Sequence, residues 1–267
     1  MRCLMAVLLL FALSHLASAR PQNAAPDSRS KAATPDTVLA WIFDPDEQHP
    51  PNASAGTITV ALLEMPEKAR KELDRAKGAL HSGDTLAAAQ DLEKVVALDP
   101  GSAFARNVLG VMYVNSNQLE KALPAFEAAL SLNPNYHLAA DNIAVVLCLQ
   151  HRWTDAEPAA RRALAMQPDS RASQYLLGGI LVNEGRDLEE AVELLNSVKD
   201  KYARAHLFLA QVAMQQDRTR QAADELQQYL DSPFALEREV AQSLLTQLQN
   251  YEAQKLRDSS RTGGAQL

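Results

Sequence analysis

From Glu67 onward, apolar residues recur at spacings of three and four, the period of a helix that buries one face. The periodic stretches are short, and each gives way to polar or helix-breaking residues before the next begins. The pattern predicts helices over 67–81, 86–98, 103–116, 119–132, 137–150 and 153–166, taken in pairs, and one over 171–184 that opens a fourth pair. Ser82-Gly83-Asp84-Thr85 joins the first pair. Its glycine can take a positive φ, and its Asp or Thr can cap the helix that follows. Asp99-Pro100, Asn133-Pro134 and Gln167-Pro168 end the second helix of each pair, because proline has no N–H to continue the ladder.

The pairs are copies of one another. Pro100, Pro134 and Pro168 lie 34 residues apart, as do Ala76, Gly110, Ala144 and Gly178, and again Ala88, Ala122 and Ala156. A fixed period of that size is the mark of like helical hairpins stacked in a row. Pro124 and Pro158 keep equal offsets from Ala122 and Ala156, and are expected near the starts of their helices, where a missing N–H costs little.

The beat then drifts. Ala191 comes 13 residues after Gly178 where earlier units have 12, Ala210 comes 32 after it, and no proline stands near Tyr202. This predicts one extra turn residue and a shortened second helix. A fifth unit keeps Leu209-Ala210, Ala222, Leu226 and Tyr229. Leu236, Val240, Leu244, Leu248 and Tyr251 then form a stripe expected on one final helix that covers the end of the stack. Residues 258–267 are polar and expected as a disordered tail.

Leu109-Gly110-x-x-Tyr113, Ala122, Phe126, Ala129 and Pro134 together resemble the tetratricopeptide repeat, with Arg106 in the place of its leading Trp. The resemblance implies an all-α fold: a right-handed α-α superhelix (TPR solenoid) of about five helical hairpins plus a C-terminal capping helix, over 57–257. It also implies protein–protein interaction, with an extended peptide or protein segment bound in a concave groove along the first helices of the hairpins. The partner-binding residues would be Asn107, Val111, Asp141, Asn142, Val145, Tyr175 and Asn183, with Asn115, Cys148, Gly179 and Gln211 in the same rows. Asparagine suits the task, since its amide both donates and accepts. One variant of the family grips a C-terminal carboxylate with Lys and Arg. Here only Asn142 matches it, and Ala172 and Leu176 occupy the cationic places, which points to a neutral, partly apolar ligand.

Ahead of the array, Arg2, the apolar run Leu4 to Leu13 and Ala17-Ser18-Ala19 read as a signal peptide over 1–19. The run is too short for a stable membrane span. Residues 20–56 read as a flexible linker holding a short apolar cluster at Val38, Leu39, Trp41, Ile42 and Phe43. In Thr57 to Leu62, Ile58, Val60 and Leu62 alternate with Thr57, Thr59 and Ala61, the period of a strand. This segment is expected to dock along the start of the array.

Composition narrows the function. Net charge is -7, and no run of Lys or Arg occurs, so nucleic acid is a poor partner. Beyond the signal only Cys148 remains, and one thiol cannot close an internal disulfide. His49, His81, His137, His151 and His206 show no metal-binding spacing. Ser28 to Lys31 matches S-x-x-K only within the linker, Gly178-Gly179 falls on a repeat position, and Asn52-Ala53-Ser54 is a glycosylation sequon. No catalytic constellation, metal set or cofactor motif is expected. The reading is a non-enzymatic scaffold, exported to a periplasm or cell envelope or secreted. The alternative is a self-associating structural subunit of an envelope or secretion assembly, and the oligomeric state stays open.

Overall fold

The computed structural model describes residues 65–263, with side chains as far as Arg257. The signal, the linker and the Thr57–Leu62 alternation lie outside the described residues. Within them are eleven helices and no strand: α1 Glu67–His81, α2 Thr85–Leu98, α3 Ala103–Asn115, α4 Leu119–Leu132, α5 His137–Leu149, α6 Trp153–Met166, α7 Arg171–Glu184, α8 Leu188–Val198, α9 Ala205–Gln215, α10 Thr219–Asp231 and α11 Arg238–Gly263. The chain divides into two compact units, one ending at Leu176 and one running on from Leu177, with the boundary inside α7.

In the first unit α1–α2, α3–α4 and α5–α6 are hairpins. Each packs on the next through α2 against α3 and α4 against α5, and the first helices α3 and α5 also meet. Local chemistry sets the ends. The Asp84 carboxylate accepts from the Ala87 N–H at 2.9 Å, and Ser102 Oγ from that of Ala105 at 3.1 Å. The turns need a left-handed residue, supplied by Gly83 (φ 79°), Asn117 (φ 59°) and His151 (φ 57°).

Pro124 and Pro158 are the sixth residues of α4 and α6, one turn deeper than the sequence suggests. Each leaves a carbonyl without its helical N–H. Both prolines sit on exposed positions of their helices, where water can take that carbonyl.

Packing follows the small residues. A Cβ added at Gly110 would lie 2.5–2.8 Å from the ring of Phe126, so α3 and α4 approach as closely as a glycine permits. The joints between hairpins are closed by hydrogen bonds to the terminating prolines. The Pro100 carbonyl accepts from Arg106 Nη2 at 2.9 Å, that of Pro134 from Arg162 Nη2 at 2.9 Å, and that of Pro168 from Gln174 Nε2 at 2.9 Å. The arginine that displaced the motif's tryptophan therefore holds a joint by donating, where the tryptophan would have packed.

The second unit shows the drift. Gly185 (φ 70°) and Asp187 (φ 49°) make a longer turn, and α8 has 11 residues against 14 in α4 and α6, as the spacing predicts. At Gly178 a Cβ would meet Leu195 Cγ at 2.8 Å, repeating the Gly110 device. The end of the unit is a core of Leu207, Leu226, Tyr229 and Leu230 against Ala241, Leu244, Leu245 and Leu248 of α11.

Leu236 departs from the expected stripe. It precedes α11 and is 53% exposed. The reason is the buried Tyr229 hydroxyl, which accepts from the backbone N–H groups of Leu236 (2.9 Å) and Glu237 (3.1 Å) and donates to the Glu237 carboxylate. Arg204 pairs with the same carboxylate, and Arg238 donates to the carbonyls of Leu230 and Ser232, both at 2.7 Å. These bonds pin the segment ahead of α11 and turn Leu236 outward. The helix itself continues to Gly263, where a disordered tail from 258 was expected.

Candidate functional site

In the first unit the residues expected to face a ligand are mostly tied to one another. Asn142 Nδ2 on α5 donates to Asn107 Oδ1 on α3 at 2.9 Å, and both side chains are buried. Ser173 Oγ at the start of α7 donates to the Asp141 carboxylate at 2.8 Å and lies 2.9 Å from Ser170 Oγ. Val111, Val145 and Tyr175 are buried as well, Tyr175 to 2% exposure. Asn115 and Cys148 are half-buried at the ends of α3 and α5.

The amides read as ligand contacts thus hold successive first helices together. Buried amide and hydroxyl groups demand partners, and here each helix provides them for the next. Asn142→Ala together with Tyr175→Ala would therefore disturb the fold itself. Tyr136 joins the ladder beside Asn107. Burial raises its hydroxyl pKa to about 12, and the Asn107 amide pulls the other way, so it stays a neutral donor at physiological pH.

In the second unit Asn183 is half-buried, with its Nδ2 folded back onto the Gly179 carbonyl at 2.7 Å. A buried histidine–carboxylate hydrogen bond lies nearby in sequence. His206 Nδ1 of α9 donates to Glu225 of α10 at 2.6 Å, and Lys199 Nζ stands 3.5 Å from the other carboxylate oxygen. Burial pushes the Glu225 carboxyl up. The His206 hydrogen bond and the Lys199 charge outweigh it, and hold the group below its ordinary 4.5.

The sign of the pH effect follows. A depressed carboxylate stabilises the fold above its unfolded pKa, and that stability is lost as pH falls through the folded value. We expect urea midpoints of the second unit to fall as pH drops below the ordinary carboxylate value of 4.5, and to fall less in Glu225→Gln. Equal slopes for the two proteins would show that the pair carries no such linkage.

Sequence reading missed Ser170, Ser173, Tyr136 and the His206–Glu225 pair. The ladder left a faint signal: Asn107 to Asn142 and Asp141 to Ser173 are separated by nearly one period. Their separations of 35 and 32 residues place each pair on adjacent first helices.

Known proteins resemble the chain along the same helices. Residues 73–137 match the family model of the tetratricopeptide repeat, and residues 149–229 that of the anaphase-promoting complex, cyclosome, subunit 3. A peroxisomal targeting signal receptor from Candida glabrata is 29% identical over 90 residues, which are 34% of this chain and 15% of the receptor. The matched part is thus a small fraction of that relative.

Among solved structures, MamA (41-end) from Desulfovibrio magneticus RS-1 aligns with a TM-score of 0.58 at 20% identity, over 65% of this chain and 99% of that one. YrrB, described as a TPR protein with an unusual peptide-binding site, aligns with a TM-score of 0.55 at 22% identity, over 71% and 100%. A chain of the APC/C hetero-tetramer Cut9–Hcn1 aligns with a TM-score of 0.58 at 17% identity, over 67% and 36%. At such identities the likeness is one of fold.

Proposed function

We propose that this array of tetratricopeptide repeats is an exported scaffold for protein–protein interaction, which takes a peptide or protein segment along the first helices of its hairpins. The observation that carries the reading is the repeat itself. Its regular positions serve hairpin packing, and near the ends of its first helices the half-buried side chains of Asn115, Cys148 and Asn183 are uncharged. A surface of that kind suits an uncharged segment better than a phosphate or a carboxylate terminus. The receptor from Candida glabrata and YrrB support it as proteins whose names tie them to a targeting signal and to a peptide. Export rests on the signal-like residues 1–19, and the periplasm, cell envelope or medium is the proposed destination. Among the described residues no helix is long and apolar enough to cross a membrane.

Two measurements test this. The mature protein from its host should have Arg20 as its first residue by mass spectrometry, and an intact Met1 terminus would refute export. For binding, Cys148 is the one cysteine beyond the signal, at the half-buried end of α5. A benzophenone attached there should cross-link a dominant partner from the envelope fraction. Adding charge at the neighbouring half-buried position with Asn115→Arg should cut the yield about tenfold, roughly 1.4 kcal/mol of binding. A yield unchanged by Asn115→Arg would place the interaction elsewhere. Sedimentation of the protein alone separates the alternative, since a stable oligomer in which Cys148 cannot be labelled would favour a structural subunit.

A further inference from the structure

The last joint of the array departs from the others in one respect. At the three regular joints the residue after the proline is exposed and small or polar: Gly101, Asn135 and Asp169. Ahead of α11 the same place follows Pro233 and holds Phe234, which at 72% is the most exposed large apolar residue among those described. Two residues on, Leu236 is 53% exposed, and Ala235 between them is buried. A single apolar side chain on a surface is ordinary, whereas two so close together form a patch that water solvates poorly.

The patch is held in place. The Phe234 N–H donates to Ser232 Oγ at 3.2 Å, and the Ala235 N–H to the Ser232 carbonyl at 3.3 Å. These bonds add to those from the Tyr229 hydroxyl and Arg238 that fix the same segment. A surface already ordered loses little conformational freedom when a partner covers it.

Charge at the rim selects the partner. Asp231 stands exposed at one end of the segment, and Arg238 and Glu239 at the other. An anionic lipid surface calls for clustered Lys or Arg, but residues 231–239 hold one arginine against three carboxylates. A rim of both signs is instead complementary to itself. Two copies facing each other across a two-fold axis set Arg238 of one near Asp231 or Glu239 of the other, with the apolar residues meeting between them.

We propose that the Phe234–Leu236 segment is a two-fold contact between copies of this chain, in which Phe234 and Leu236 of one copy pack on those of the other. Two side chains from each copy cover far less than the roughly 1,200 Å² of a stable interface, so the pairing is weak and reversible. It uses no residue of α3, α5 or α7, and it stands or falls separately from the reading of those helices as a binding surface.

The test uses the chain as purified from its host, followed by sedimentation equilibrium from micromolar to submillimolar concentration. The mean mass should climb from monomer toward dimer. Phe234→Asp should raise the dimer Kd at least tenfold, while its melting temperature in dilute solution stays equal to the parent's, because the replaced ring is exposed. Leu236→Cys in a Cys148→Ser background should give a covalent dimer on mild oxidation, since a two-fold axis brings each residue near its own copy. A monomer at every concentration overturns the proposal, as does a dimer that Phe234→Asp leaves intact. A dimer sensitive to Phe234→Asp that never cross-links through Leu236→Cys overturns the two-fold arrangement. Sedimentation of a wild-type monomer with phosphatidylcholine vesicles, lost in Phe234→Asp, would assign the patch to lipid and overturn it too.

Discussion

Replacing Phe126 by alanine is expected to cost about 3–5 kcal/mol, the range for emptying an aromatic site in a well-packed core. Phe126 is fully buried, and its ring fills the space that Gly110 leaves on α3. A domain of ordinary stability has only about 5–15 kcal/mol to lose. The variant should therefore melt early, and amide exchange should locate the loss in α3 and α4. The same geometry makes the cost reversible in part. Gly110→Ala alone should destabilise by about 1–3 kcal/mol, since its methyl would overlap the ring, set against roughly 1 kcal/mol of gained helix propensity. In the Phe126→Ala background the methyl enters a vacated space, and the substitution should become neutral or stabilising. Strict additivity of the two changes would mean that the glycine and the ring do not compete for one volume.

The second large effect is expected on removing residues 238–267. Leu244, Leu245 and Leu248 of α11 are buried against α10 and α9. At about 1.5–3 kcal/mol for each buried leucine, the three represent roughly 5–9 kcal/mol before any loss at Tyr229 is added. Protection of α9 and α10 amides from exchange should collapse in the shortened protein. Leu244→Ala with Leu248→Ala should reproduce the trend more mildly while keeping the chain intact. Native-like exchange in α9 and α10 after the deletion would show that α11 is an attachment and carries no part of the core.

The helical hairpins were readable because each helix obeys the same two constraints, a buried face and a terminating residue. Proline at 100, 134 and 168 and the small residues at 110 and 178 mark these without reference to tertiary structure. Even the irregular α8 was foreshadowed by its missing residues. The ladder was not readable, because a period shows which residues share a position and says nothing of which polar atoms pair across it. Asn107, Asp141 and Asn142 looked like ligand contacts, as polar residues on a first helix should, until the partner on the next helix was known. Leu236 failed for a similar reason. Its spacing fits the stripe on α11, but a tyrosine hydroxyl seven residues earlier decides where that helix begins.

The proline joints bear on how such a chain can be enlarged. Arg106, Arg162 and Gln174, the three donors that close them, all come from the segment after the proline they hold. A hairpin cut from the gene just ahead of its leading proline carries its own fastener. One cut just behind that proline leaves the fastener on one piece and its acceptor on the other. Duplications with breakpoints before Pro100 or Pro134 should therefore yield longer arrays that fold, and the natural unit of copying begins at the proline.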